Sequence, residues 1–224
     1  MVKKLLDGIH RFQSGVFGTQ QALFSRLSKG QDPDALFITC SDSRINPNLV
    51  TQTEPGDLFI IRNAGNIIPA YGQFHGGEAA TIEYAVEVLG VQDIIICGHT
   101  HCGAMKSILD PTGLADLPAV KGWLTHADAT RRIMRTVYKD LEGDEMLETC
   151  VEENVLVQIE NLRTHPSVLA ALTRSKMTLH AWVYEIETGG VDAFDTDTGQ
   201  FVPVSQAGRG VAEKADRLGG KRQI

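Results

Sequence analysis

The chain predicts an α/β fold: a mostly parallel central β-sheet flanked by helices, led by an N-terminal helical arm. Two observations carry this. Short apolar runs at 35–39, 58–61 and 93–97 alternate with segments of helical period, the pattern of strand–helix–strand units. The two segments richest in metal-ligating side chains also begin where two of those runs stop, and parallel sheets bind ligands beyond the carboxyl ends of their strands.

Residues 1–30 read as the arm. Leu5, Ile9, Phe12, Phe17, Leu23 and Leu27 approximate one stripe, interrupted near Gly15 and Gly18, and Gly30 closes it with Pro33 beyond. Ala35–Thr39 is short and apolar enough for a buried strand, and Cys40 stands directly after it. Leu58–Ile61 is a second strand. Glu78–Leu89 is a helix that turns Ala79, Ile82, Ala85, Val86 and Leu89 inward. Asp93–Cys97 is a third strand, and Cys102–Leu109 starts another helix. Pro118–Leu172 is mainly helical, and Thr178–Glu185 with Val191–Phe194 form a closing strand pair around a Gly189-Gly190 turn. The organisation expected is one domain over 1–203, with 1–30 as its arm. Past Pro203 the apolar period is lost, so 204–224 is expected to be a loosely packed tail with a solvated basic stretch from Arg217 to Arg222.

Composition narrows the function classes. A hydrophobic content of 42% over 224 residues supports a real core, and a net charge of −7 argues against nucleic acid or an anionic membrane as partner. No run approaches the roughly 20 apolar residues of a membrane span. Lys3 and Lys4 are followed only by Leu5 and Leu6 before Asp7, too short for a secretory signal. Four cysteines are too few for a disulfide scaffold, so a reducing, cytoplasmic setting is expected, with metal or catalysis as the use for some thiols. Confinement in a bacterial microcompartment would leave no mark in these features.

The segments Cys40-Ser41-Asp42-Ser43-Arg44 and Gly98-His99-Thr100-His101-Cys102-Gly103 supply two thiols and an imidazole. Two thiolates and one ring nitrogen suit zinc better than magnesium or calcium, and three protein ligands leave a fourth position open. The alternative makes Cys40 and Cys102 small core residues and His99 a hydrogen-bonded core histidine. Glycines on both sides of His99 and Cys102 favour a tight metal loop. Cys97 and Cys150 lie within apolar patterns and read as core. Asp42 and Arg44 face the same way in an extended segment, so the arginine keeps the carboxylate ionised and aimed. That carboxylate can accept a hydrogen bond from a metal-bound hydroxide or take the fourth position itself. His101 can shuttle protons or simply face solvent.

These segments, with Gly56-Asp57-Leu58-Phe59-Ile60-Ile61-Arg62-Asn63-Ala64-Gly65-Asn66 and Gly76-Gly77-Glu78-Ala79-Ala80-Thr81-Ile82-Glu83-Tyr84-Ala85, resemble the β-class carbonic anhydrases, especially bacterial and cyanobacterial members related to the plant-type subclass. The likeness covers residues 1–203. It implies one Zn2+ per subunit on Cys40, His99 and Cys102, a catalytic dyad of Asp42 and Arg44, and reversible hydration of CO2 to bicarbonate by attack of zinc-bound hydroxide: a carbonate dehydratase, a zinc lyase. It further implies a substrate pocket lined by Gln31, Phe59 and Tyr84, with the Gly103 backbone near the substrate. Part of that pocket comes from a neighbouring subunit, so the arm serves an obligate homodimer, often paired further. Phe37 stands where the subclass with a bicarbonate regulatory site has Trp, which favours an open site. Hydrolysis of carbonyl sulfide or carbon disulfide on the same scaffold, and a non-catalytic zinc protein, are the competing readings.

Overall fold

The computed structural model describes residues 2–73 and 76–207; the basic C-terminal stretch, and the expected loose tail from residue 208 onward, lie outside the described residues. The chain divides into two compact units, Met1–Asp32 and Pro33–Ile224.

The first unit holds helices α1 (Val2–Arg11), α2 (Phe17–Thr19) and α3 (Gln21–Leu27). A wider helical turn at Phe12–Val16 joins α1 to α2, in the region where Gly15 and Gly18 interrupt the stripe. Phe17 stacks on Phe24 at 5.1 Å, and Phe12 meets both edge-on. Leu5, Leu6 and Ile9 remain more than half exposed, so α1 carries an apolar stripe that it does not bury.

The second unit contains the sheet. Strands β1 (Ala35–Cys40), β2 (Leu58–Asn63), β3 (Asp93–His99) and β4 (Thr178–Tyr184) pair in parallel, while β5 (Val191–Asp195) and β6 (Gln200–Pro203) continue antiparallel. The order is β2-β1-β3-β4-β5-β6. The connection leaves β1 for β2 on one side and then returns past it to β3, so the crevice lies at the carboxyl ends of β1 and β3. Helices α4 (Pro47–Thr51), α5 (Gly77–Glu83), α6 (Gly103–Leu109), α7 (Pro118–Leu124), α8 (Asp128–Thr136), α9 (Gly143–Leu162) and α10 (Pro166–Thr173) complete the unit.

Period-two alternation sorts the strand residues. Leu36, Ile38, Ile94, Ile96, Leu179 and Ala181 join Ile82, Val155, Ile159, Leu162 and Val168 in one core. Ala35, Phe37, Ile95 and Cys97 join Ile45, with Leu58, Ile60, Trp182 and Tyr184 packed against them, in another. Each large side chain so buried contributes about 1.5–3 kcal/mol. All six residues of β1 are buried, which explains why its apolar run is continuous.

The structure departs from the sequence pattern in two places. The helix expected over 78–89 is regular only to Glu83 and continues as a wider turn, Tyr84–Val88. The edge strand β6 leaves no mark in the sequence pattern, because four residues ending in a proline give no usable period.

Candidate metal centre

Cys40 is the last residue of β1 and His99 the last of β3; Cys102 precedes the first turn of α6. The ligand atoms of these three residues all lie within 4.8 Å of one another, and all three residues are buried. Thiolate–zinc bonds near 2.3 Å in tetrahedral geometry set two sulfurs about 3.8 Å apart, so the cluster needs little adjustment to receive an ion. The imidazole supplies the second test. Its Nδ1 bonds the Thr100 carbonyl at 2.8 Å, which leaves Nε2 as the free ring atom. Nε2 is buried and has no hydrogen bond of normal geometry. A buried, unpartnered ring nitrogen facing two thiols fits a metal ligand far better than a core histidine.

The electrostatics agree. Hydrogen bonding from Cys102 is the largest influence on Cys40 and outweighs burial; the His99 ring and the Gly65 N–H add to it, and the thiol is pulled down to about 4. The same bond, with burial, pushes Cys102 far up. Two thiols of this kind share one proton, which a divalent cation displaces. Burial disfavours a proton on His99, but the Cys40 sulfur, the Thr100 carbonyl and Asp42 outweigh it and raise the ring.

Asp42 flanks the cluster, its Oδ2 at 3.9 Å from His99 Nε2. Arg44 grips it by three bonds: backbone N–H to Oδ1 at 2.9 Å, Nε to Oδ1 at 2.9 Å and Nη2 to Oδ2 at 2.7 Å. The Arg44 side chain, ahead of partial burial, holds the carboxyl well below the usual carboxylate range.

The surrounding backbone is braced by residues that sequence reading assigned no role. Arg62, at the end of β2, donates to the carbonyls of Cys40, Asp42 and Ile45 and so fixes the whole loop after β1. Gly65 donates its N–H to the Cys40 sulfur at 3.4 Å, and its carbonyl accepts from buried Asn154 at 3.1 Å. Its φ of +81° requires glycine, and a Cβ there would meet Ala104 at 2.9 Å. Arg62 and Gly65 lie within the second quoted signature; only their partners, 17 to 89 residues away, reveal what they do.

The Carbonic anhydrase family model matches residues 35–191, which span both halves of this cluster. The chain belongs to the carbonic anhydrase family. A carbonic anhydrase of Synechocystis sp. is 50% identical over 202 residues, covering 90% of this chain and 74% of that protein. One of Pseudomonas aeruginosa is 48% identical over 205 residues, covering 92% and 93%. The solved structure of the β-carbonic anhydrase CcaA has 49% identity and a TM-score of 0.89, covering 90% of this chain and 98% of that one. That likeness places the fold in the β class.

The remaining residues expected from the carbonic anhydrase resemblance are distributed unevenly. Gly103 opens α6 beside Cys102, with no atom within 4 Å of where its Cβ would be. Phe59 and Tyr84 are together, ring centroids 6.1 Å apart. However, Phe59 pairs with Leu36 whereas Cys40 pairs with Asn63, which puts Phe59 about 13 Å down the strand from the metal cluster. Tyr84 is 45% exposed. Gln31 is exposed at the end of the first unit. Cys97 is wholly buried beside Phe37 and is pushed up to about 12 by burial; Cys150 is likewise buried and raised. A cavity of about 560 Å³ between α8, α9 and β5 includes none of these residues, and the titratable cluster at the strand ends is the better-built site.

Proposed function

We propose that this chain is a zinc-dependent carbonic anhydrase that interconverts CO2 with bicarbonate and a proton. The convergence of Cys40, His99 and Cys102 beside a carboxylate held by Arg44 carries this reading. Cys40, Cys102 and His99 Nε2 would hold the zinc, which supplies Lewis acidity and draws the pKa of water toward neutrality.

The protein's own groups do the rest. The bond from His99 Nδ1–H to the Thr100 carbonyl fixes the tautomer and aims Nε2 at the centre. Asp42, kept ionised by Arg44, accepts a hydrogen bond from the attacking oxygen and turns its lone pair toward the carbon of CO2. Because Arg44 occupies both carboxylate oxygens, Asp42 serves as an acceptor beside the metal and the fourth position stays open to substrate. CO2 is small and apolar, so it needs aromatic walls and few donors.

Phe59, Tyr84 and Gln31 supply that lining, part of it contributed by the neighbouring chain of a homodimer. The exposed Tyr84 and the unburied stripe of α1 support this assembly. One chain from the crystal structures of two tetrameric β-carbonic anhydrases of Sordaria macrospora is 25% identical to this chain. The four free thiols suit a reducing, cytoplasmic location. Among the described residues no helix is long and apolar enough to cross a membrane.

The test is zinc content together with stopped-flow hydration of CO2 by the purified protein, with carbonyl sulfide as competing substrate. One zinc per chain and CO2 turnover far above carbonyl sulfide hydrolysis are expected. A zinc-loaded protein inert toward CO2 would remove the reading.

A further inference from the structure

We infer that Glu187 is a positioning residue for the metal loop and, through it, for the Asp42–Arg44 dyad. This inference rests on the carbonic anhydrase reading for its activity arm and on geometry alone for its metal arm.

Glu187 lies in the β4–β5 turn, 85 residues beyond Cys102. Its carboxylate is not needed to close that turn. Glu185 N–H to the Gly190 carbonyl, Gly189 N–H to the Glu185 carbonyl, and the Thr188 hydroxyl on the Glu185 carboxylate already do so. Glu187 instead reaches to the two residues between His99 and Cys102. Its Oε2 accepts from the Thr100 hydroxyl at 3.0 Å, and its Oε1 bonds the His101 ring at Nε2.

The same turn grips the loop once more, by Ile186 N–H to the Thr100 hydroxyl at 3.1 Å, and the end of β4 adds Thr100 N–H to the Tyr184 carbonyl at 3.0 Å. His101 is thereby held at a φ of +56°, a left-handed conformation that a histidine seldom adopts unaided. In that conformation its carbonyl accepts from Arg44 Nη2 at 3.3 Å, the same nitrogen that binds Asp42 Oδ2. A continuous path therefore runs from the Glu187 carboxylate through a twisted backbone to the arginine that aims Asp42. The Thr100 carbonyl that fixes the His99 tautomer belongs to the same clamped residue.

Partners of this kind typically change metal affinity or activity 10- to 100-fold when removed. The test uses the full-length zinc protein and the variants Glu187→Ala, Glu187→Gln, Thr100→Val and the Glu187→Ala/Thr100→Val double. Zinc affinity by chelator competition, kcat/KM for CO2 at saturating zinc, and melting temperature are measured for each. Glu187→Ala is expected to weaken zinc binding and, separately, kcat/KM on the order of 10-fold, with the melting temperature falling by no more than the weaker zinc binding accounts for, because Glu187 is half exposed. Glu187→Gln keeps one oxygen for Thr100 and an amide toward the His101 ring, and should stay within about threefold of the wild type. The double variant should fall by less than the two single losses combined, because both remove the Glu187–Thr100 bond. Wild-type affinity and activity in Glu187→Ala, equal losses in Glu187→Gln, or additive losses in the double variant would each overturn the assignment. If the wild type binds zinc yet lacks CO2 hydration, the functional reading fails while the affinity data still decide the role of Glu187.

Discussion

Arg44 closes on Asp42 as a two-pronged grip, Nε to Oδ1 at 2.9 Å and Nη2 to Oδ2 at 2.7 Å, with Oδ2 only 3.9 Å from His99 Nε2. The carboxylate is therefore fixed in ionisation and direction without being one of the three converging ligands. Asp42→Asn keeps the size of the side chain and removes its charge. The variant is expected to retain close to one zinc per chain and to lose CO2 hydration on the order of 10²-fold, the usual contribution of a positioned acid–base group. Metal analysis beside stopped-flow rates measures both; near-normal hydration by the zinc-loaded variant would take Asp42 out of the mechanism.

Two glycines of one motif differ in what a side chain there would meet. A Cβ on Gly98 would lie 2.8 Å from Val155 Cγ2 and 3.0 Å from Val151 Cγ1, so α9 can approach the end of β3 only over a bare backbone. Gly98→Ala is expected to destabilise by about 1–3 kcal/mol through overpacking, and to loosen zinc by shifting His99. Gly103 has open space where its Cβ would stand. Gly103→Ala should unfold at the wild-type urea midpoint and lose kcat/KM if the methyl intrudes on substrate. Urea melts of the two variants separate the packing glycine from the site glycine, and equal destabilisation would contradict this division.

What the sequence made legible follows from range. Cys40 and His99 could be read because each closes a strand whose apolar run is visible, with Cys102 three residues on, and strand ends in a parallel sheet converge. The continuous burial of Leu36, Phe37 and Ile38 is a local property and shows directly as an unbroken apolar run. Arg62 and Asn154 carry no such mark. An arginine near a strand end reads as a solvated charge until its bonds to three carbonyls across the loop are seen. Asn154 lies in α9, yet besides Gln158 one turn on in that helix its partners are Thr130 and the carbonyl of Gly65. The dyad was visible because Asp42 and Arg44 are two residues apart; Glu187 was not, because its partners are 86 and 87 residues away.

His165 gives the fold a pH dependence separate from the metal centre. It is buried, its Nε2 bonds the Pro69 carbonyl at 3.1 Å, and burial lowers its pKa more than that carbonyl raises it. Histidine in the unfolded chain titrates near 6.5, so below that pH the unfolded state binds the extra proton. The contribution of a neutral His165 is complete above about pH 6.5 and declines as the pH falls below it, until the native ring also protonates. Between pH 7.5 and 5.5 the loss is at most about 1.4 kcal/mol. His165→Gln keeps an amide donor for Pro69 and does not titrate. Its unfolding free energy should fall less over that interval than the wild type's, and parallel curves would show that His165 is not the source.

The separation of Phe59 and Tyr84 from Cys40 within one chain makes the dimer testable by mixing. Phe59 pairs with Leu36 rather than with a residue near the metal end of β1, so its ring and that of Tyr84 can line a site only by serving another chain's cluster. Cys40→Ser destroys the metal site of its own chain but leaves Tyr84 intact. Tyr84→Ala does the reverse. In a heterodimer of the two, the cluster of the Tyr84→Ala chain meets the intact Tyr84 of the Cys40→Ser chain, which gives one complete site in two. Each variant alone is expected to hydrate CO2 poorly. Unfolding and refolding an equimolar mixture should recover activity, since half of the dimers are mixed and each carries one complete site. Mixtures that merely average the two parents would place Tyr84 at the cluster of its own chain, or away from the substrate altogether. Sedimentation of the mixture must show dimers or larger assemblies for the comparison to count. Leu5→Asp with Ile9→Asp, which charges the unburied stripe of α1, is expected to yield monomers that cannot complement.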